Sequence, residues 1–281
     1  MSARDRSLLH RVFSPVTLGA VVLVLFTAMP LYWMVVNSLK PVTEVGAMPP
    51  TFWPGDITGA NYVSAFVDQG FGRYILNSLV VCLSSTVVVV SLATFAGYAL
   101  ARTPMRGRGP VMIALLMVSV YPPIAVLVPL YVMARELGML NSYPGLIIPY
   151  VAFNLPFAIW IMRNYMLSVP GGLEDAARVD GASATRTVLS IILPQVRPGL
   201  FTAGVFTFTA TWTEFLMALT LNSQDAYRTI PVGIALMGTV FEVPYGMIFA
   251  AAVAVTAPIA VLVLIFRKSV VAGLTAGAIK G

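Results

Sequence analysis

Six long apolar runs decide what this chain can fold into: Thr17 to Leu39, Ile75 to Ala101, Val111 to Ala134, Pro144 to Tyr165, Leu200 to Leu221 and Gly246 to Phe266. A bilayer-spanning helix needs about 20 mostly apolar residues, and each run supplies that length with Leu, Val, Ile and Ala on every face. Barrel strands would instead alternate in polarity over about ten residues. The expected fold is an all-α membrane protein of six transmembrane helices, a single domain over residues 1–281. Composition closes off the soluble alternative, since 58% of the residues are hydrophobic and only 10% are charged, too apolar for a water-soluble domain of this length.

The first run follows Arg4, Arg6 and Arg11, but it exceeds the about 7–15 residues of a signal-peptide core, so a retained helix is expected. Basic residues then orient the bundle, because cytoplasmic loops keep Lys and Arg. One set of alternate aqueous segments holds Arg4, Arg6 and Arg11, then Arg102, Arg106 and Arg108, then Arg163, Arg178, Arg186 and Arg197, then Arg267, Lys268 and Lys280. The other set holds only Lys40, Arg73, Arg135 and Arg228. Both termini, the Arg102–Arg108 loop and the segment around Asp175 are therefore expected in the cytoplasm. This asymmetry accounts for the net charge of +6 without a nucleic-acid partner, for which a basic patch interleaved with exposed aromatics is missing.

Chemistry-bearing residues are sparse. There is one histidine, His10, and one cysteine, Cys82, so neither a zinc cluster nor a disulfide framework can be built, and no metal or catalytic site is expected. Cys82 reads as packing. No G-x-x-x-x-G-K-[ST] phosphate loop occurs, so a nucleotide used by this protein must be bound by another polypeptide.

The longest external piece, Pro41 to Tyr74, carries the cluster Pro49-Pro50-Thr51-Phe52-Trp53-Pro54-Gly55, which suggests an irregular cap. It is read either as a contact surface for an external partner or as a site where Trp53 joins the interfacial aromatic belt.

The segment between the fourth and fifth runs, residues 166–199, is polar and rich in small residues, and it is too long to be a plain connection. Leu173 to Val179 reads as a short helix with Ala176 and Ala177 small enough to admit a partner's surface. Gly181 fits a left-handed C-terminal cap. Ser183 fits the N-cap of a second helix running to Leu193, with Pro194 expected to interrupt it. The result is a helix-turn-helix elbow, expected to dock a soluble partner.

At this elbow the chain resembles the inner-membrane permeases of carbohydrate importers driven by ATP-binding cassettes, in particular the maltose-type partner with six helices. That family's signature reads E-A-A-x-x-x-G, nine further residues, then I-x-L-P. Asp175, Ala176, Ala177, Gly181, Ile191, Leu193 and Pro194 match it in register, with Asp175 in place of the usual Glu and Glu174 just before it. Asn77-Ser78-Leu79, Tyr98-Ala99-Leu100-Ala101-Arg102, Leu155-Pro156-Phe157, Trp212-Thr213-Glu214-Phe215-Leu216 and the ending Gly273 to Gly281 carry the similarity along nearly the whole chain.

The resemblance implies a permease subunit of a sugar importer in a bacterial cytoplasmic membrane, coupling ATP hydrolysis elsewhere to alternating access. The implied partners are a second homologous permease, a cytoplasmic ATPase pair that binds ATP and magnesium, and an external solute-binding protein or lipoprotein. ATPase coupling would fall to Glu174, Asp175, Ala176, Ala177, Asp180, Gly181, Ile191, Leu193 and Pro194. The tail, residues 267–281, would reach between the ATPase subunits through Gly273, Leu274, Thr275, Gly277, Lys280 and Gly281.

An acidic residue inside a membrane run is costly and is therefore a functional candidate, which singles out Glu214. Thr207, Thr211 and Glu214 recur at one helical face, and with adjacent Trp212 and with Asn154 they outline a possible solute path. Glu214 is read either as a solute contact or as a packing carboxylate tied to a hydroxyl or backbone group. Pro122-Pro123, Pro129, and Asn154 with Pro156 are expected to interrupt helices at depth, a trait of transporters. The rival class is a secondary transporter running on an ion gradient with Glu214 as its coupling carboxylate.

Overall fold

The computed structural model describes residues 14–238 and 243–276, and for residue 262 and residues 266–276 it describes the backbone course alone. Among these residues there are helices and turns and no strand. Four helices are long and apolar enough to cross a membrane: α1 (Pro15–Ser38), α2 (Phe71–Arg102), α5 (Tyr143–Leu167) and the first part, Tyr245–Ile265, of α11 (Tyr245–Ala276). Two further pairs pass the same test only as bent spans, α3 (Arg108–Val120) with α4 (Pro123–Glu136), and α7 (Ala184–Gln195) with α8 (Arg197–Trp212). The short helices α6 (Gly172–Val179), α9 (Leu216–Leu221) and α10 (Ile230–Ala235) complete the set used below.

Local chemistry sets the helix ends. Ser14 caps α1 by accepting from the Thr17 amide at 3.2 Å, with Pro15 in the first turn, and Ser142 does the same for α5 through Gly145 at 3.2 Å; both follow the preference for a hydroxyl at the N-cap and proline just inside it. Proline then decides the third run. Pro122 forces Tyr121 into an extended conformation, α3 stops at Val120, and α4 departs at 87°.

Elsewhere the expected interruptions do not occur. Pro129 lies inside α4, and Pro156 lies inside an unbroken α5, where the Asn154 side-chain amide donates to the Tyr150 carbonyl at 2.8 Å. The fifth run breaks without a proline: α8 ends at Trp212, and α9 begins at Leu216 after three intervening residues.

The described residues fall into two compact units. One comprises residues 14–71 together with the described residues between 236 and 256. In it α1 is almost bare, with 6% of its most apolar window buried, while the loop after it is tightly made. Lys40, 1% exposed, donates to the Thr51 carbonyl at 2.6 Å and to Asn37 Oδ1 at 3.3 Å, and lies 4.9 Å from the centre of the Trp33 ring. Glu44 accepts from the Thr51 hydroxyl at 2.6 Å and from the Gly55 amide. The irregular cap expected between Pro41 and Tyr74 is, up to the start of α2 at Phe71, a loop with helical turns at Val42–Val45 and at residues 60–68, and it leaves Phe52 and Trp53 exposed.

The other unit, residues 72–235 and 257–276 of those described, holds two cores. One packs α2, α3, α5, α7 and α8 around Ala93, Met162, Met166, Ile192 and Ala203. The second gathers Val81, Leu146, Tyr150, Met217, Leu221 and Val232. Helices approach closely at glycine in the first core: a Cβ on Gly97 would stand 2.9 Å from Met162 Cβ and the Arg163 amide, and one on Gly199 would stand 2.6 Å from the Tyr165 ring. Cys82 is a buried packing residue of this unit.

Candidate functional site

The elbow is α6, Gly181 and α7. Asp180 ends α6, and Gly181 takes the left-handed conformation at φ 75°. Its amide donates to the Arg178 carbonyl at 3.0 Å, and Ala182 donates to Ala177 at 2.9 Å, the paired bonds of a Schellman closure. A Cβ at Gly181 would meet no atom within 4 Å, so backbone conformation, not lack of room, selects glycine. Ser183 then caps α7 by accepting from the Arg186 amide at 3.3 Å.

The second helix runs past its expected end. Pro194 sits in the first turn of a closing α-helical piece, Leu193–Gln195, preceded by a π turn at Thr187–Ile192. Proline cannot donate to the carbonyl four residues back, and the wider π turn absorbs that loss without a break. The interruption lies at Val196, where the chain turns 83° into α8. Ile191 and Leu193 pack against the first core.

The two faces of α6 differ. Ala177 is 3% and Glu174 6% exposed, and both are turned into the chain. Glu174 Oε1 lies 2.8 Å from Arg102 Nε, off the N–H axis, an ion pair more than a hydrogen bond. On the other face Asp175 and Arg178 pair with each other at 3.3 Å in the open, and Ala176, Val179 and Asp180 are exposed. The two alanines thus have different surroundings: Ala177 fits against the protein's own core, and Ala176 faces out. Arg102, whose guanidinium also donates to the Val169 carbonyl, did not enter the sequence-derived site. In the sequence it figured only as a basic residue orienting the bundle and as the end of the motif Tyr98 to Arg102.

The solute-path candidates do not form one stripe. Thr207, Thr211 and Trp212 are buried in α8; the Thr211 hydroxyl donates back to the carbonyls of Thr207 and Phe208, and Trp212 stacks on Phe208. Glu214 lies beyond the helix, so the expected i, i+4, i+7 face ends at Thr211. Its carboxylate accepts from the Tyr150 hydroxyl at 2.6 Å and from the amides of Met217 and Ala218 at 2.9 and 3.2 Å, capping α9. Asn154, half-buried on α5, has its amide on the helix's own backbone. An apolar groove of about 460 Å³ beside the α3–α4 bend is lined by Ile113, Leu116, Met117, Val120, Tyr121 and Pro122 and by none of these five. Among the described residues no three His, Cys, Asp or Glu side chains converge as metal ligands.

A polar latch lies outside both candidates, and in the sequence its centre stood only within the motif Asn77-Ser78-Leu79. Asn77, fully buried, donates to the carbonyls of Ala226 and Arg228 at 3.0 and 2.8 Å and accepts from the Tyr143 hydroxyl at 2.8 Å, holding the loop after α9 against α2 and α5. Of the tail candidates, Gly273, Leu274 and Thr275 lie on the helical backbone of α11; Gly277, Lys280 and Gly281 lie outside the described residues.

Comparison with known proteins follows the same outline. The profile of the family described as binding-protein-dependent transport system inner membrane component matches residues 93–274, which include the whole elbow. The chain is 39% identical over 264 residues to the sulfoquinovosyl glycerol transport system permease protein SmoH of Agrobacterium fabrum, covering 94% of this chain and 93% of that one. It is 37% identical over 272 residues to the trehalose/maltose transport system permease protein MalG of Thermococcus litoralis, covering 94% and 95%. Its fold resembles a chain of a bacterial ABC transporter involved in the import of the acidic polysaccharide alginate, with a TM-score of 0.78, 21% identity and coverage of 95% and 98%.

Proposed function

The chain belongs to the family of binding-protein-dependent transport inner-membrane components, and from that premise we propose that it is one of two homologous permease subunits of an ATP-driven importer of a sugar or sugar-like solute. It is not itself an enzyme: ATP and magnesium are bound, and ATP is hydrolysed, by a partner pair of cytoplasmic ATPase subunits, while an external binding protein or lipoprotein delivers the solute. The sugar class is supported by relatives named for trehalose and maltose and for sulfoquinovosyl glycerol.

The observation that carries the coupling role is the two-faced elbow, with α6 fixed on one side and bare on the other. The bare residues, Asp175, Ala176, Arg178, Val179 and Asp180, form the surface offered to an ATPase. Gly181, Ile191, Leu193 and Pro194 shape and seat the elbow. Closure of the ATPase pair on ATP displaces two such elbows, tilting the helices behind them and switching the solute site between faces of the membrane.

Six spans follow if α3 with α4 is one and α8 is completed by α9, since 16 residues of α8 give about 24 Å against a hydrocarbon core of about 30 Å. The basic residues then set both termini and the elbow in the cytoplasm of a bacterium, and the tail, residues 267–281, reaches the ATPase pair. Glu214 serves as the cap of α9, leaving the greater share of sugar contacts to the companion permease.

The test is affinity capture of the chain from detergent-solubilised membranes with identification of what co-purifies. Recovery of a second permease and a cassette ATPase whose hydrolysis rises with a sugar-loaded binding protein is expected. A chain purified alone that moves solute on an ion gradient without ATP would overturn the reading.

A further inference from the structure

Arg102 is the last residue of α2, and its guanidinium grips the elbow at two points. One is the carbonyl of Val169, in the turn that precedes α6. The other is the carboxylate of Glu174, in the first turn of α6 and 2.8 Å from Nε. We propose that Arg102 is a positioning residue that clamps the first elbow helix to the end of α2, so that a push on the bare face of α6 moves both helices as one body; this rests on the elbow being the ATPase-docking element.

The chain joins α6 to α5 directly through residues 168–171, whereas no backbone link joins it to α2. What ties α6 to α2 is therefore side-chain chemistry. The two charges are largely out of water, with side-chain exposures of 17% and 8%, where loss of one partner strands the other and does more harm than losing both. Two acceptors in different directions require the planar fork of arginine; the single ammonium of lysine cannot replace it. A clamp needed only for cohesion could be apolar, as Ala177 already is on the same face. A charged clamp of fixed geometry sets the position of α6 relative to α2. The continuous 32 residues of α2 then carry that position along about 48 Å.

The test uses the assembled complex captured through this chain, carrying Arg102→Gln, Glu174→Gln, Arg102→Lys or the exchange Arg102→Glu with Glu174→Arg. Two quantities are read: hydrogen exchange of the amides of residues 172–179, and labelled trehalose or maltose taken up per ATP hydrolysed in proteoliposomes. Each glutamine variant should keep its ATPase subunits yet speed exchange, and lower sugar moved per ATP, by about tenfold or more. The charge exchange should recover only part of both, because a carboxylate at position 102 restores the ion pair but cannot donate to the Val169 carbonyl, and lysine should likewise recover only part.

Unchanged exchange in both glutamine variants overturns the clamp. Faster exchange with an unchanged sugar-to-ATP ratio overturns its part in coupling, as does loss of the ATPase from both variants. A parent chain that captures no cassette ATPase counts instead against the proposed function, one that moves neither sugar counts against those two as its solutes, and the exchange measurement then decides the clamp by itself.

Discussion

The hydroxyl of Tyr150 on α5 donates to Glu214 Oε2 at 2.6 Å, and that one bond joins the middle of a long helix to the point where the fifth apolar run breaks. With the amides of Met217 and Ala218 also on the carboxylate, the acidic group is committed to the protein's own donors. It holds the turn between α8 and α9.

Glu214→Ala should therefore act on stability first. Loss of a charged, part-buried acceptor serving three donors should cost about 2–3 kcal/mol, and Tyr150→Phe about 1 kcal/mol, read as lowered thermal midpoints of the purified protein in detergent. In the folded fraction the concentration of sugar giving half-maximal uptake should stay within about twofold of the parent, because a mere cap makes no solute contact. A large shift in that concentration at unchanged stability would place Glu214 on the path.

At Gly181 the constraint is conformational. Replacing it with Ala should cost about 1–2 kcal/mol for forcing a Cβ into the left-handed region, with Gly181→Val worse and Gly181→Asn mildest. Uptake by the assembled complex should fall in that order. Equal activity of the Val and Asn variants would mean that the turn is not needed in this form.

The cap of the first unit should respond to acid. Donation from the Thr51 hydroxyl, followed by the Gly55 amide, holds the Glu44 carboxyl below its ordinary pKa. A group depressed in the folded state contributes its stabilisation above the unfolded pKa and loses it as pH falls through the folded one. Protection of the Gly55 amide from hydrogen exchange, corrected for intrinsic rates, should hold from neutral pH down into the usual carboxylate range and drop below it. Glu44→Gln should remove that step; a step that persists belongs to another group.

Two glycines set helix spacing beside the elbow. At Gly97 an added methyl meets backbone and Cβ atoms, which cannot swing away, and at Gly199 it meets a ring close to its own backbone. Alanine at either position should destabilise by about 1–3 kcal/mol. Combining Gly199→Ala with Tyr165→Leu should not recover that loss, since leucine keeps the Cβ and Cγ that stand 2.9 and 2.6 Å from the added methyl, and no side-chain change relieves Gly97→Ala. Thermal midpoints of the three variants, set against the parent, decide this.

The long helices were legible in sequence because lipid demands length and apolarity and little else: Thr17–Leu39, Ile75–Ala101 and Pro144–Tyr165 were expected, and Pro15–Ser38, Phe71–Arg102 and Tyr143–Leu167 are found. Gly181 and Ser183 were equally legible, since a left-handed turn and an N-cap are local demands. Proline misled where its surroundings compensate, at Pro156 inside α5 and at Pro194 in the first turn of a helical piece. The break after Trp212 had no glycine or proline to announce it; it depends on a carboxylate meeting Tyr150, 64 residues away in sequence. Arg102 was hidden for the same reason, because a cation at the end of an apolar run reads as topology until its partner is seen.

The bareness of α1 bears on how the protein is made. A helix with 6% of its apolar window buried and a mean hydropathy of 2.1 owes its place to partitioning between water and lipid more than to contacts within the chain. Substitutions there should accordingly surface as failures of insertion, seen as degraded or mislocalised nascent protein, rather than as defects in a finished permease.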